Sequence, residues 1–411
     1  MKAFARLAVL ILWIPAMLLA QTPTNQAAAP QANAGKPAYA QSAPSDTPDS
    51  SAPANSAQAA PKAEAGETAK PRVPGPYPVL SDRAKQRARE LYEFFAHSQP
   101  GPLYAAFTPE MKKQSPESKI TTISKEVTAR FGTPSDTLSE AFLPSLAGPV
   151  TIYSRTAVYT KTIAEGAKKG EPRKVAVMVI IGVDEKGQLT DFQVQPIPAV
   201  PRDEYSDYQD VTKLRLPFDG EWMVWQGGRM LYDNGNAGSD ENRYTTSFIL
   251  IKDGLASENE GKRNTDYFCY GQPVLAPASG VVVQAGTQAQ DHAPGRPTDV
   301  MSRGNYVVIA HGNSEYSLIP YMKAGSVKLR PGQRVKQGDI VGECGDSGSS
   351  PFPHVEYSLQ NTRGFPLPKT LPAQFVDYTA DGKPVPIGEP LRGQIVSNAP
   401  KAAPVQTAGK P

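Results

Sequence analysis

The sequence predicts two folded parts in series: an α+β part over residues 81–200, then an all-β part over 214–372. Three observations carry this. Apolar residues first recur at helical spacing, with Ala84, Ala88, Leu91, Tyr92 and Phe95 following Ser81, which can cap a helix. Two β-rich runs come next, TIYSRTAVY (151–159) and VAVMVIIGV (175–183). From about Leu214, short strands alternate with Gly, Pro and Asn turns, the texture of a sandwich or a partly closed barrel.

Each segment has its own justification, beginning at the N-terminus. MKAFARLAVLILWIPAMLLA places Lys2 and Arg6 before an apolar run from Leu7 to Ala20. That run is shorter than the roughly 20 residues of a spanning helix and ends on a small residue. Residues 1–20 therefore read as a cleaved secretory signal peptide, with a retained anchor as the rival. Export to the periplasm or medium follows, and with it an oxidising compartment. No cysteine follows the apolar run, so no lipid-modified N-terminus is expected. Residues 21–80 are Ala, Pro, Gln, Ser, Thr and Lys with almost no large apolar side chains, the composition of a disordered linker. The C-terminal extension, 373–411, reads the same way from about residue 396. Charge is close to balance, 43 Lys+Arg against 40 Asp+Glu, and no basic run is interleaved with aromatics; a nucleic-acid partner is not expected. Nor is a transmembrane domain, apart from the signal segment.

In the α+β part, DEKG (184–187) followed by LTDFQVQ reads as a hairpin after the second β-rich run. Helices followed by an antiparallel sheet resemble, in order and spacing, the nuclear-transport-factor (NTF2)-like or cystatin-like accessory domains of exported bacterial hydrolases. No catalytic constellation occurs there, and His97, alone near a helix end, is expected to be structural. The all-β part supplies WMVW, TSFILI, PVLA, GVVVQAG, NYVVIAHG, YSLI, QRVKQGDIVGEC and HVEYSLQ as strand segments.

Gly345-Asp346-Ser347-Gly348 looks like the nucleophile loop of a serine protease. Its neighbours point elsewhere. YGQPVLAPASGVVVQAG (270–286), GNYVVIAHGN (304–313), GQRVKQG (332–338), GDSGSS (345–350) and PHVEYSLQ (353–360) occur in one order. This order resembles the lysostaphin/LytM-type zinc metalloendopeptidases, which cut peptide cross-links of peptidoglycan on a β fold, the duplicated hybrid motif. The resemblance covers 270–360 and extends back to about 214. It makes GDSGSS a sharp turn and Ser347 a turn residue. A serine protease would need a His base and an Asp on two barrels; the only upstream histidines here are His292 and His311, in too short a stretch.

The resemblance implies a zinc held by three protein ligands with one open position for water. Carried over position by position, the set is degenerate. In His354-Val355-Glu356 the first histidine, a catalytic position, is kept, and the ligand histidine is Glu356. Tyr321 stands where a second catalytic histidine is expected. If KRNTD (262–266) aligns with the early motif, Asp266 is kept and Lys262 replaces histidine. In an alternative register, NGN (234–236) and RYTTSF (243–248) put Asn236 and Ser247 at the two ligand positions. A zinc site built from His354, Glu356 and Asp266 stays open as an alternative. So does a Lys262 ammonium in place of the metal, paired with Asp266 and Glu356, against Lys262 as a solvated loop residue. His311 is expected to be structural, and His292, in DHAPGRPTD, solvent-exposed. For Cys269 and Cys344 the resemblance and the oxidising compartment suggest a disulfide; two buried thiols and a cysteine zinc ligand are the alternatives.

The expected function is an exported cell-envelope protein whose LytM-like domain is catalytically degenerate, needs no cofactor, and binds peptidoglycan or regulates a cell-wall hydrolase. The alternative is an active zinc metalloendopeptidase with an atypical metal site. PVLAPASGVVV and RVKQGDIVG also resemble biotinyl or lipoyl carrier domains, but no lysine stands at a hairpin tip in the Met-Lys-Met or Asp-Lys-Ala setting which that chemistry needs.

Overall fold

The computed structural model describes residues 80–399, apart from 147, 165–167, 298–301 and 364–367. The expected signal peptide, the linker up to residue 79 and the tail from residue 400 lie outside the described residues.

Four helices, α1 (Asp82–Ala96), α2 (Pro100–Ala105), α3 (Pro109–Gln114) and α4 (Glu117–Phe131), precede β1 (Thr133–Pro144), β2 (Val150–Thr162), β3 (Pro172–Asp184) and β4 (Leu189–Ile197). The apolar stripe of α1 does what its spacing demands: Ala88, Leu91, Tyr92 and Phe95 are buried. Ser81 occupies the N-cap, but its hydroxyl caps nothing; the backbone carbonyl alone takes the Lys85 N–H. The four strands form an antiparallel sheet in chain order. Strand β3 is buried on both faces. Its Val179, Ile181 and Val183 face the helices and pack with Leu91, Phe95, Phe107 and Ile120. The β3–β4 turn closes on Asp184, whose carboxylate accepts the N–H groups of Lys186 and Gln188. Strand β1 escaped the sequence reading because it is a polar edge strand, burying residues only towards its end at Ala141, Leu143 and Pro144.

Beyond residue 213 come β5 (Trp222–Gln226), β6 (Thr246–Ile249), β7 (Pro273–Leu275), β8 (Gly280–Gly286), β9 (Asn305–Gly312), β10 (Glu315–Met322), β11 (Arg334–Val335), β12 (Ile340–Glu343), β13 (Val355–Gln360) and β14 (Thr370–Leu371). Every segment predicted as a strand in this part contains one. The C-terminal extension is the correction. The extension carries β15 (Phe375–Ala380), β16 (Lys383–Gly388) and β17 (Ile395–Asn398), so order runs past the expected limit near residue 396. Asp381-Gly382, both at positive φ, turns the β15–β16 hairpin, and Phe375 and Val396 are fully buried. Burying a phenylalanine contributes about 1.5–3 kcal/mol, reason enough for this segment to order.

The large sheet runs β11-β8-β9-β10-β13-β6-β5-β17-β15-β16, with β14 also beside β13, while β7 and β12 pair separately. One apolar cluster fills it, including Trp222, Phe248, Ile309, Tyr357 and Phe375, and reaches into the first part through Leu80, Leu143 and Leu146. Polar contacts reinforce that junction: the Ser139 hydroxyl donates to Asp233, and Ser257 donates to the Leu146 carbonyl at 3.1 Å. The two parts meet along this seam, while the helices and the inner face of the small sheet keep a separate apolar cluster of their own.

Candidate functional site

Strand register assembles the site. Glu356 on β13 lies opposite Ser247 on β6, which lies opposite Gln226 on β5. Residues two apart on a strand share a face, and His354, just before β13, joins Glu356 on this one. The His354 Nε2 stands 3.7 Å from a Glu356 carboxylate oxygen, and the Ser247 hydroxyl lies 3.5 Å from that same oxygen.

The turn before β13 holds the imidazole. His354 Nδ1 donates to the Phe352 carbonyl at 2.7 Å, with the Ser350 hydroxyl 3.3 Å away, and His354 itself is bridged to Gly345. Burial, the largest influence, opposes a charge on this ring. The hydrogen bond and negative charge of Glu356, with help from the Phe352 carbonyl and Asp346, outweigh it and raise the His354 pKa above its ordinary value. The site thus favours an imidazolium against a carboxylate.

Tyr321 closes one side. A register shift in β10 between Ile319 and Met322 brings it out of the ladder with φ at 63°, a left-handed conformation that a bulky residue holds only under constraint. Its N–H goes to the Arg303 carbonyl, its hydroxyl lies 3.3 Å from that of Ser349, and its ring centre lies 5.8 Å from that of His354. Burial and then the Glu356 charge hold the phenol proton well above its ordinary range, so the side chain is neutral.

The early-motif residues go elsewhere. Asp266 ends a short 3₁₀ turn and is tied to Arg263: its carboxylate accepts the backbone N–H of Arg263 at 2.9 Å and two guanidinium bonds at 3.1 and 2.7 Å. That pairing holds its pKa below the ordinary value. The Lys262 side chain is 77 % exposed and pairs with Glu260. Of the two readings of Lys262, the solvated loop residue is the one that fits: the cation on Asp266 is Arg263, the one beside Glu356 is His354, and Lys262 faces solvent. Asn236 lies in the 3₁₀ turn Gly235–Gly238, its N–H held by the Asn234 side chain.

These residues do not fit zinc. A neutral phenol is a poor donor, Asp266 is saturated by Arg263, and His354 and Glu356 face each other as an ion pair rather than converging on an open point. Among the described residues, no three His, Cys, Asp or Glu side chains stand close enough together to hold a metal ion.

The remaining expectations divide. Ser347 is fully buried; its hydroxyl donates to the Met322 carbonyl at 2.7 Å and accepts the Asn305 N–H at 2.9 Å, as a turn brace does. His311 is structural, with Nδ1 2.9 Å from the Ser279 carbonyl and Nε2 2.7 Å from the Ser317 hydroxyl; burial lowers its pKa. His292 is not solvent-exposed. It is buried, 3.5 Å from the Asp346 carboxylate, with Nε2 3.0 Å from the Gly348 carbonyl. Sequence reasoning missed this buried pair because nothing in DHAPGRPTD announces which loop it packs on. Burial, the larger influence, and the neighbouring Asp291 push Asp346 up to about 6. Cys269 and Cys344 are both buried and stand here as free thiols, one of the arrangements left open for them. The Cys269 thiol hydrogen is spent on the Pro353 carbonyl, 3.0 Å away.

Residues 261–367 match peptidase family M23, the lysostaphin/LytM type that the motif order resembles. The match includes Lys262 and Asp266 and leaves Asn236 and Ser247 outside it. An uncharacterized metalloprotease of Haemophilus influenzae is 35% identical over 89 residues, covering 22% of this chain and 16% of that protein. Peptidoglycan DD-endopeptidase ShyA of Vibrio cholerae is 34% identical over 97 residues, covering 24% and 19%. The chain thus spans less than a fifth of the length of either relative. The catalytic domain of lysostaphin from Staphylococcus simulans aligns at 18% identity and a TM-score of 0.22, over 39% of this chain and 88% of that one. No helix among the described residues is long and apolar enough to cross a membrane.

Proposed function

We propose that this chain is an exported cell-envelope protein whose M23-type domain acts without zinc, binding peptidoglycan peptides or regulating a cell-wall hydrolase. The observation that supports this best is the replacement of a converging ligand set by a closed one. His354 and Glu356 neutralise each other at 3.7 Å, and the neutral Tyr321 ring lies against the imidazole. Gln226, Ser247 and Glu356 form a polar row across three strands that suits the alternating donors and acceptors of a peptide backbone. A peptidoglycan ligand is the natural proposal given what ShyA is named for. The signal-like first 20 residues support export, and the helices with their four-stranded sheet would serve as an NTF2-like or cystatin-like accessory domain.

The test is zinc stoichiometry. The full chain is loaded with excess zinc, desalted and measured by mass spectrometry, then sedimented with purified sacculi. We expect zinc well below one per chain. We also expect co-sedimentation without release of muropeptides, abolished by the pair His354→Ala and Glu356→Ala. Roughly one zinc per chain, lost in that double variant and accompanied by muropeptide release, would replace this proposal with an active metalloendopeptidase.

A further inference from the structure

The two cysteines bracket His354. Cys269 donates its thiol hydrogen to the carbonyl of Pro353, the residue before His354. Cys344 precedes Gly345, which is bridged to His354 itself. The backbone brings the two together: Gly271 N–H donates to the Cys344 carbonyl and Cys344 N–H to the Gln272 carbonyl, both at 2.8 Å, while Cys269 closes a turn onto Gln272. Burial first, and the neighbouring Cys269 after it, raise the pKa of the Cys344 thiol.

We propose that Cys269 and Cys344 form a redox pair whose state sets the backbone of the 352–354 turn and thereby the placement of His354. Oxidation breaks both S–H bonds and forms one Sγ–Sγ bond. Two electrons and two protons pass to the disulfide of the oxidant, glutathione disulfide or a protein disulfide, which leaves as two thiols. The sulfurs draw in to about 2.05 Å, and the Pro353 carbonyl loses its donor inside the core. The residue after Cys344 is tightly packed: a Cβ on Gly345 would lie 2.0 Å from the Lys323 backbone nitrogen. The movement falls on Cys269 and the 352–354 turn. Both thiols are buried, and burial, with the contact to Cys269, keeps the Cys344 proton on its sulfur, so attack on an oxidant requires the core to open. The state is therefore fixed when the chain folds rather than toggled afterwards. The functional weight of this pair rests on the proposed groove, but its test reads the protein alone.

The full chain is refolded with oxidised or with reduced glutathione, denatured, and its thiols counted with a maleimide; amide hydrogen exchange is then compared across 345–347 and 353–356. The oxidised preparation should show no free thiols and roughly tenfold faster exchange around His354, while folded, reduced protein resists the same oxidant. Cys269→Ala, which removes the donor without a cross-link, should exchange like the disulfide form, and Cys344→Ser, which keeps the donor, like the dithiol. Two thiols per chain after oxidative refolding, or identical exchange in the two redox states, would overturn the proposal whatever the cysteine variants do. Failure of sacculus binding would leave it standing.

Discussion

Glu356→Gln removes the charge that does most to raise the His354 pKa against burial. At 3.7 Å and an effective dielectric constant of about 20, two unit charges attract by about 4 kcal/mol. Burial of the ring opposes part of this, so the net contribution is about 1–3 kcal/mol. The sign follows from the raised pKa. A histidine whose folded pKa exceeds its unfolded value of about 6.5 stabilises the fold fully below pH 6.5, and that contribution is lost as pH rises through the folded pKa. Urea unfolding of wild type and variant at pH 5.5 and pH 9 measures the difference, and the His354 ring signal followed by NMR locates the titration. The variant should be about 1–3 kcal/mol less stable at pH 5.5 and nearly equal at pH 9, and its His354 midpoint should fall, because only the Phe352 carbonyl and Asp346 then oppose burial. An equal stability gap at both pH values, or an unmoved midpoint, would refute the ion-pair argument.

Two further substitutions test the frame around the site. Gly345→Ala places a methyl 2.0 Å from Lys323 N and 2.3 Å from Lys323 Cα, backbone that cannot step aside. We expect a loss above about 3 kcal/mol. A melting temperature within about 2 °C of wild type would contradict that packing. Asp210, pushed up to about 7 chiefly by burial, accepts the Gln374 N–H at 2.6 Å. Its raised pKa gives stability that is complete below pH 3.8 and lost as pH rises through about 7. Asp210→Asn keeps an acceptor and should match wild type at pH 3.5 while gaining up to about 4 kcal/mol at pH 8.5. Urea midpoints showing no gain at pH 8.5 would sink this one.

What the sequence made legible was whatever local pattern controls. The stripe Ala88–Leu91–Tyr92–Phe95 and the alternating or β-branched runs of β2, β3, β9 and β13 follow from spacing alone, and each became the expected element. Strand β1 did not, because its polar residues gain their order from β2 on one side rather than from an apolar face. The strands at 375–398 were hidden by a Pro- and Lys-containing composition, although the Asp381-Gly382 turn was there to be found. At the site, the pairing of His354 with Glu356 was readable because a strand fixes which residues share a face. The destinations of Lys262 and Asp266 were not, since they depend on a 3₁₀ turn that delivers Arg263 to the carboxylate. The His292–Asp346 contact joins loops more than 50 residues apart, a separation that no local signal spans.

The apolar cluster that reaches from the large sheet to Leu80, Leu143 and Leu146 couples the two parts, although the helices pack around a cluster of their own. A fragment beginning near residue 214 would lose those three side chains and the Ser139 bond to Asp233, uncovering the stretch from Gly254 to Gly261 that Leu80 and Leu146 lie against. Heat or denaturant should therefore unfold both parts in a single transition. Shortening the protein to its peptidase-like half would change the object being assayed, and ligands bound by the whole chain need not be bound by that half.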